Sequence, residues 1–140
     1  MSALERFVEW EDPRELEALA QARDRGRGAI LVVPHLGNWE LLGLELGRRG
    51  FPAHAVARTI ENRWVDAWVV RFRSRTGLRL LDKKGAVRDA VRALRDGRLL
   101  LVLPDQYGGS TGVPARFFGT STSVPALVGA LARRLDVPVF

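Results

Sequence analysis

Short apolar runs alternate with longer amphipathic stretches along the whole chain. The runs have the length and composition of buried strands and cover residues 29–33, 53–57, 78–81 and 99–103. The stretches between and around them place apolar side chains at one-turn spacing, which predicts helices over 13–23, 39–48, 63–76, 86–95 and 124–135. Strands that alternate with helices predict an α/β domain with a largely parallel central sheet flanked by helices.

The run 99–103 is the strongest strand signal, because five consecutive apolar residues must be covered on both faces. Residues 137–140 begin another apolar run and end without a turn or a polar tail. The chain is therefore expected to be a single, partial domain of residues 1–140, truncated at its C-terminus. Within it, residues 1–27 form a helical lead-in and residues 28–140 form the core.

Charge and composition narrow the possible partners. The net charge of +6 comes almost wholly from arginine, since Lys83 and Lys84 are the only lysines. This balance favours anionic partners such as a lipid surface, an acidic carrier protein or nucleic acid, although an arginine-rich codon usage would produce the same bias. The absence of cysteine excludes disulfides and thiolate chemistry. No apolar run approaches the ~20 residues that span a bilayer, and residues 1–11 do not resemble a signal peptide.

The candidate chemistry lies where the first strand gives way to a helix. His35 follows the apolar run, and Asn38 is a good N-cap for the helix that begins at Trp39. Glu40 falls in the first helical turn, where the helix dipole favours a carboxylate. The intervening turn can fold Glu40 back towards the imidazole, so a base and an acid that orients it are predicted within reach of each other.

Asn62 is expected to cap the helix that follows it, and the surface of that helix suggests a binding role. One face is apolar and aromatic, and the other contains several arginines. Such a pattern is typical of a helix that binds nucleic acid or a membrane surface, and it is also typical of an ordinary solvated face opposite a core stripe. Two other function classes are disfavoured: a metal hydrolase, because the histidines and carboxylates lack a ligand spacing, and a nucleotide-binding domain, because no phosphate-binding glycine motif follows the first strand.

The spacing of His35 and Glu40 resembles the HX4D/E motif of the glycerolipid and lysophospholipid acyltransferase superfamily. The form His35-Leu36-Gly37-Asn38-Trp39-Glu40 is similar to the bacterial branch that includes the lipid A biosynthesis (lauroyl and myristoyl) acyltransferases and the phosphatidylinositol mannoside acyltransferases. Further blocks of that branch follow in order: Arg58 with Asn62 and Asp66, Arg73 before Gly77, Asp105-Gln106, Arg116-Phe117-Phe118-Gly119, and the small-residue helix from Pro125. One departure is Ser123-Val124-Pro125-Ala126, which lacks the glycine usual at that helix start.

The resemblance implies a glycerolipid acyltransferase-like fold and transfer of a fatty acyl group from a thioester to a hydroxyl of a membrane lipid such as a lipid A precursor. His35 would be the general base, Glu40 would hold its ring, and backbone N–H groups at Asn38 would stabilise the oxyanion. Arg58 and Arg73 would bind phosphate on the acceptor or on the carrier's phosphopantetheine arm.

Three more residues are implied as substrate-binding: Asn62, Asp105 and Gln106. Asp105 has an equally plausible role in capping the turn after Pro104. The donor would be an acyl-carrier-protein or coenzyme A thioester, with no bound cofactor and no metal. The location implied is peripheral, at the cytoplasmic face of the inner membrane. The alternative function is a non-catalytic fragment that binds lipid or nucleic acid through its basic helix.

Overall fold

The computed structural model describes residues 7–57, 59–75, 77–82 and 85–140. The helices are α1 (Pro13–Asp24), α2 (Trp39–Arg48), α3 (Arg63–Ser74), α4 (Ala86–Arg95) and α5 (Leu127–Leu135). The strands are β1 (Ala29–Val32), β2 (Ala53–Ala57), β3 (Arg79–Asp82), β4 (Leu99–Val102), β5 (Val113–Phe117) and β6 (Thr120–Val124). The predicted α/β architecture is thus confirmed.

A four-stranded parallel sheet forms the centre of the fold, in the order β1-β4-β2-β3. The last residues of the chain add to it beside β1, where the N–H of Phe140 donates to the carbonyl of Ile30 at 2.9 Å and the N–H of Val32 donates to the carbonyl of Phe140 at 2.9 Å. Since parallel neighbours need long crossovers, each helix between two strands must pack on a face of the sheet.

The two faces of the sheet bury separate apolar clusters. Along β4, Leu99 and Leu101 point to the cluster shared with α1 and α2, whereas Leu100 points to the cluster shared with α4 and α5. This alternation explains why the run 99–103 has no polar position, and each fully buried leucine contributes about 1.5–3 kcal/mol. Gly28 precedes β1 at a close approach, because a Cβ there would lie 2.3 Å from the carbonyl oxygen of Leu94.

The segment after β4 differs from the sequence expectation. Residues 113–124 form an antiparallel hairpin, β5 with β6, joined by a tight turn in which Phe118 and Gly119 both have positive φ. The sequence predicts a helix from Val124, but Ser123 and Val124 both lie in β6, and the Ser123 hydroxyl donates to the carbonyl of Gly109 at 2.8 Å. Hairpin pairing satisfies these backbone groups, so α5 begins only at Leu127.

Candidate active site

His35 and Asp105 meet at the carboxyl edge of the sheet because their strands are in register. Val32 at the end of β1 is the register partner of Val102 at the end of β4. His35 is the third residue after Val32, and Asp105 is the third residue after Val102. Equal spacers after paired strand ends bring the two side chains together, at the edge where open α/β sheets bind ligands.

Asp105 holds His35 by two hydrogen bonds. Its Oδ2 accepts the backbone N–H of His35 at 2.6 Å, and its Oδ1 lies 2.6 Å from the imidazole Nδ1. The backbone N–H of His35, followed by its ring, lowers the pKa of the Asp105 carboxyl below the usual value. The carboxylate is then only an acceptor, so Nδ1 must donate, and in the neutral ring the lone pair lies on Nε2. Within the described part of the chain, no hydrogen bond involves Nε2.

Glu40 pairs with Arg73 and not with His35. The guanidinium of Arg73 donates from Nε to Oε2 of Glu40 at 3.1 Å and from Nη2 to Oε1. The structure therefore differs from the expectation that Glu40 holds the imidazole, since Asp105 occupies that place. The physical reason is that an arginine gives a carboxylate two parallel charge-assisted hydrogen bonds, whereas an imidazole gives it one.

Trp39 lies between these two pairs. Its ring contacts His35 edge to face, with centroids 6.2 Å apart and an interplanar angle of 78°. The guanidinium carbon of Arg73 lies 5.5 Å from the centroid of the same ring, close enough for a cation–π contact. Only 15% of the Arg73 side chain is exposed, so Glu40 and Trp39 hold the guanidinium in one position that is largely shielded from solvent.

An apolar cavity of about 680 Å³ opens at this site. Its polar lining includes His35, Arg73 and Gln106. Its apolar lining comes from the sheet and the helices that flank it, including Ala55, Leu78, Leu80, Leu101 and Leu103. The volume lies within the ~300–1,000 Å³ that is usual for small-molecule sites, and an apolar interior with a few polar groups at one end suits an amphiphilic ligand.

Two of the other predicted site residues are used as helix caps. The Asn38 Oδ1 accepts the N–H of Leu41 at 3.1 Å, and the Asn62 Oδ1 accepts the N–H of Trp64 at 3.0 Å and that of Val65 at 3.2 Å. Both caps were predicted from the sequence and are confirmed. Arg58 lies outside the described residues.

Trp39 packs against the core and also lines the cavity between His35 and Arg73. Sequence reasoning missed one feature of this site. The pairing of His35 with Asp105 was not predicted, although a signal was present: each residue lies two positions beyond the end of its predicted strand, 29–33 or 99–103. The strand order was needed to use that signal, because it decides which two strand ends are neighbours.

Two features of the described residues bear on metal binding and on membrane spanning. These residues contain no group of three or more His, Asp or Glu side chains placed to hold a metal ion. Nor does the described part of the chain include a helix with the length and hydropathy needed to cross a bilayer.

Comparison with known proteins places these observations in a family. The family model described as bacterial lipid A biosynthesis acyltransferase matches residues 2–140. A phosphatidylinositol mannoside acyltransferase of Mycolicibacterium smegmatis is 30% identical over 139 residues, which is 96% of this chain and 46% of that protein. A lipid A biosynthesis acyltransferase of Haemophilus influenzae is 28% identical over 130 residues, 89% of this chain and 41% of that protein. The chain thus spans less than half the length of these relatives.

Proposed function

Since the chain belongs to the family of bacterial lipid A biosynthesis acyltransferases, we propose that it is part of an enzyme that transfers a fatty acyl group from a thioester to a hydroxyl of a membrane lipid. The acceptor class is a lipid A precursor or a related glycolipid, in keeping with the names of its relatives. One observation supports the chemistry above the others: the Asp105-held imidazole of His35 faces an apolar cavity large enough for a small amphiphilic ligand.

His35 acts as the general base in this proposal. Its Nε2 takes the proton from the acceptor hydroxyl while the hydroxyl oxygen attacks the thioester carbonyl. Collapse of the tetrahedral intermediate breaks the C–S bond, and the leaving thiolate takes the proton back from the imidazolium. Proton transfer of this kind contributes roughly 10²- to 10⁴-fold in rate. The strand-to-helix junction at His35 contains no serine or cysteine, which favours direct transfer without an acyl-enzyme.

Two carboxylates have separate roles around the base. Asp105 keeps the proton of the neutral ring on Nδ1 and stabilises the imidazolium when it forms. Glu40, which the sequence assigns as the acid that orients His35, instead fixes Arg73 in the wall of the cavity. Backbone N–H groups at the start of α2 stabilise the oxyanion, because the first turn of a helix presents N–H groups and a partial positive charge.

Arg73 binds phosphate on the acceptor or on the phosphopantetheine arm of the donor, for which a planar guanidinium is well suited. Arg58 keeps the same assignment from the sequence. Gln106, in the cavity lining, contacts the substrate, and Asn38 and Asn62 position the helices that flank it. The donor is an acyl-carrier-protein or coenzyme A thioester, no bound cofactor takes part, and the enzyme works peripherally at the cytoplasmic face of the inner membrane.

The test compares the two histidines of the chain. Acyl transfer from carrier-protein and coenzyme A thioesters to lipid acceptors is measured for the parent, for His35→Gln and for His54→Gln, in this chain and in the full-length protein that contains it. His35→Gln should lower the rate roughly 10²- to 10⁴-fold. His54→Gln is the matched control because His54 lies in β2, outside the cavity lining, and it should keep most of the rate. A folded His35→Gln variant as fast as the parent contradicts the proposal.

The alternative expected from the sequence, a non-catalytic fragment that binds lipid or nucleic acid, is favoured by one observation: Arg63 and Arg71 of α3, and Arg75 at its C-cap, are exposed. The same assay separates the two functions. Binding that persists in a protein without any His35-dependent transfer supports the alternative.

A further inference from the structure

Helix α3 leaves large aromatic side chains in solvent. Trp64 is 72% exposed, Trp68 is 66% exposed, and none of the residues of the helix is buried. Trp68 and Phe72 stack on each other, with ring centroids 5.7 Å apart and an interplanar angle of 8°. Contiguous aromatic surface of this size on a small domain marks a contact with a partner, because water does not stabilise it.

Arginines lie along the same stripe of the helix, which corrects the expectation from the sequence that they lie opposite its aromatic face. Trp64, Trp68, Arg71 and Arg75 follow the spacing i, i+4, i+7, i+11, so their side chains share one face. The guanidinium carbon of Arg63 lies 4.5 Å from the centroid of the Trp64 ring. The one acid of the helix, Asp66, is turned away, since its carboxylate accepts the N–H of Ile60 at 2.9 Å. The exposed face is therefore both aromatic and strongly positive.

The position of α3 connects this face to the proposed site. The helix begins after the carboxyl end of β2, at the edge of the sheet where His35 and Asp105 lie. Ile60, just before it, lines the cavity, and Arg73, near its end, lines the cavity from the side facing the sheet. A partner that contacts the outer face of α3 would therefore lie beside the cavity that is proposed to admit a lipid.

We propose that α3 lies in the headgroup layer of a bilayer rich in anionic lipid, with Trp64, Trp68 and Phe72 at the boundary of the acyl chains and Arg63, Arg71 and Arg75 on lipid phosphates. Tryptophan prefers this boundary, and each arginine near an anionic surface contributes about 1 kcal/mol, a factor of about five in partitioning. A second copy of the chain fits less well, because it would bring like charges together. Double-stranded nucleic acid would bind the arginines but fits less well, because its bases are already stacked on each other and offer the two tryptophans no free base face.

Binding to vesicles tests this proposal without any acyl donor. The purified chain is mixed with vesicles of phosphatidylcholine alone or with phosphatidylglycerol added, and the bound fraction is measured by co-sedimentation. Quenching of tryptophan fluorescence by brominated lipid, compared with a variant lacking Trp64 and Trp68, reports how deeply these two rings insert. Binding should need the anionic lipid, fall as salt is added, and quench both rings.

Matched variants distinguish a specific face from net charge. Replacing Arg63, Arg71 and Arg75 by glutamine should lower the partition coefficient on the order of 100-fold, which is three factors of about five. The control replaces Arg88, Arg92 and Arg95 on the exposed side of α4 by glutamine, which removes the same charge and should change binding little. A Trp64→Gln, Trp68→Gln variant should bind weakly, with circular dichroism confirming that each variant is folded.

Several results overturn the proposal. One is a parent protein that does not bind anionic vesicles. Another is an equal loss of vesicle binding in the α3 and α4 arginine variants. Concentration-dependent dimerisation that Trp68→Gln abolishes, or binding to DNA without binding to vesicles, would assign the face to another partner. The role beside the cavity rests on the proposed function, but the two fail separately: His35→Gln should keep vesicle binding, and the α3 variants should keep transfer to a detergent-dispersed acceptor.

Discussion

The imidazole Nδ1 of His35 lies 2.6 Å from Oδ1 of Asp105, a residue 70 positions further along the chain. The same carboxylate also accepts the backbone N–H of His35. Asp105 therefore fixes both the position of the loop after β1 and the tautomer of the ring. Locally, Asp105 is only a residue in the turn predicted after Pro104. In three dimensions it is the hydrogen-bond partner of the proposed base.

Asp105→Asn should remove the charge that stabilises the imidazolium while keeping the size of the side chain. We expect the kcat of acyl transfer to fall roughly 10²- to 10⁴-fold with a much smaller change in KM, because the interaction strengthens only as the proton is transferred. Steady-state kinetics on the full-length protein measures both constants. A rise in KM with an unchanged kcat would assign Asp105 to substrate binding alone.

Glu40→Gln should have a different signature, because Glu40 holds Arg73 and not the base. We expect a rise of about tenfold in the KM for the acceptor or donor that Arg73 binds, with kcat changed less than in Asp105→Asn. Arg73→Lys should also raise this KM, since an ammonium cannot reproduce the two parallel hydrogen bonds to Glu40. If Glu40→Gln lowers kcat more than Asp105→Asn does, the expectation from the sequence, with Glu40 orienting His35, is the correct one.

Glu45 should make the free energy of unfolding depend on pH in the acid range. Its side chain is 1% exposed and accepts hydrogen bonds from Arg48 at 2.8 Å and from Arg49 at 2.6 Å, and the Arg48 contact is the largest cause that lowers its pKa from 4.5 to about 2. Because the pKa of Glu45 is lower in the folded state than in the unfolded state, its ionised carboxylate stabilises the fold at pH values above about 4.5. This stabilisation is lost as the pH falls from about 4.5 to about 2.

Glu45→Gln should therefore lower the free energy of unfolding by about 2 to 4 kcal/mol at neutral pH and flatten this acid transition, because it leaves two arginines without their carboxylate. Urea titrations across the acid range measure the effect. Asp24→Asn is the control, since the Arg23–Asp24 pair is exposed and should contribute less than about 1 kcal/mol. Equal losses in the two variants would contradict this account.

Gly28→Ala should destabilise the chain strongly. The new Cβ would lie 2.3 Å from the Leu94 carbonyl oxygen, so β1 and α4 would have to move apart. We expect a loss of about 2 kcal/mol or more by chemical denaturation. Gly129→Ala provides the contrast: a Cβ there meets nothing within 4 Å, and alanine should stabilise α5 by up to about 1 kcal/mol.

Phe118→Asn should stabilise the β5–β6 hairpin by about 1 kcal/mol. Phe118 has a φ of +48° and is 93% exposed, so its ring packs little while its backbone adopts a conformation that asparagine tolerates better. Thermal unfolding measures the gain. A decrease in stability would mean that the edge-to-face contact with Phe117, 4.6 Å between centroids, outweighs the strain.

The elements of the sheet and its covering helices could be predicted because local signals agreed with the final packing. The bounds of α2, β2 and α4 match the expected ranges, since each has a clear apolar pattern between a cap or turn and a glycine. The β5–β6 hairpin could not be predicted in the same way. β6 has one apolar residue, Val124, and β5 contains Pro114, a residue that is disfavoured within strands. The turn uses Phe118 where asparagine is usual, so the pairing is visible only in three dimensions.

The site divides along the same line. His35, Asn38 and Asn62 could be assigned from short-range patterns, because a strand end and an N-cap are local features. The choice of carboxylate could not, because it depends on strand order and on Arg73 reaching Glu40 from α3, 33 positions away. Local spacing placed an acid near the base; competition between an arginine and an imidazole decided which acid it would be.

The equal spacers after Val32 and Val102 also give a rule for comparing proteins of this kind. An insertion or deletion of one residue in either spacer would retain every functional side chain and still separate the imidazole from its carboxylate, since one residue extends the chain by more than the length of a hydrogen bond. Counting the residues between each strand end and its functional residue is thus a cheap criterion for sorting relatives into those that can assemble the pair and those that cannot.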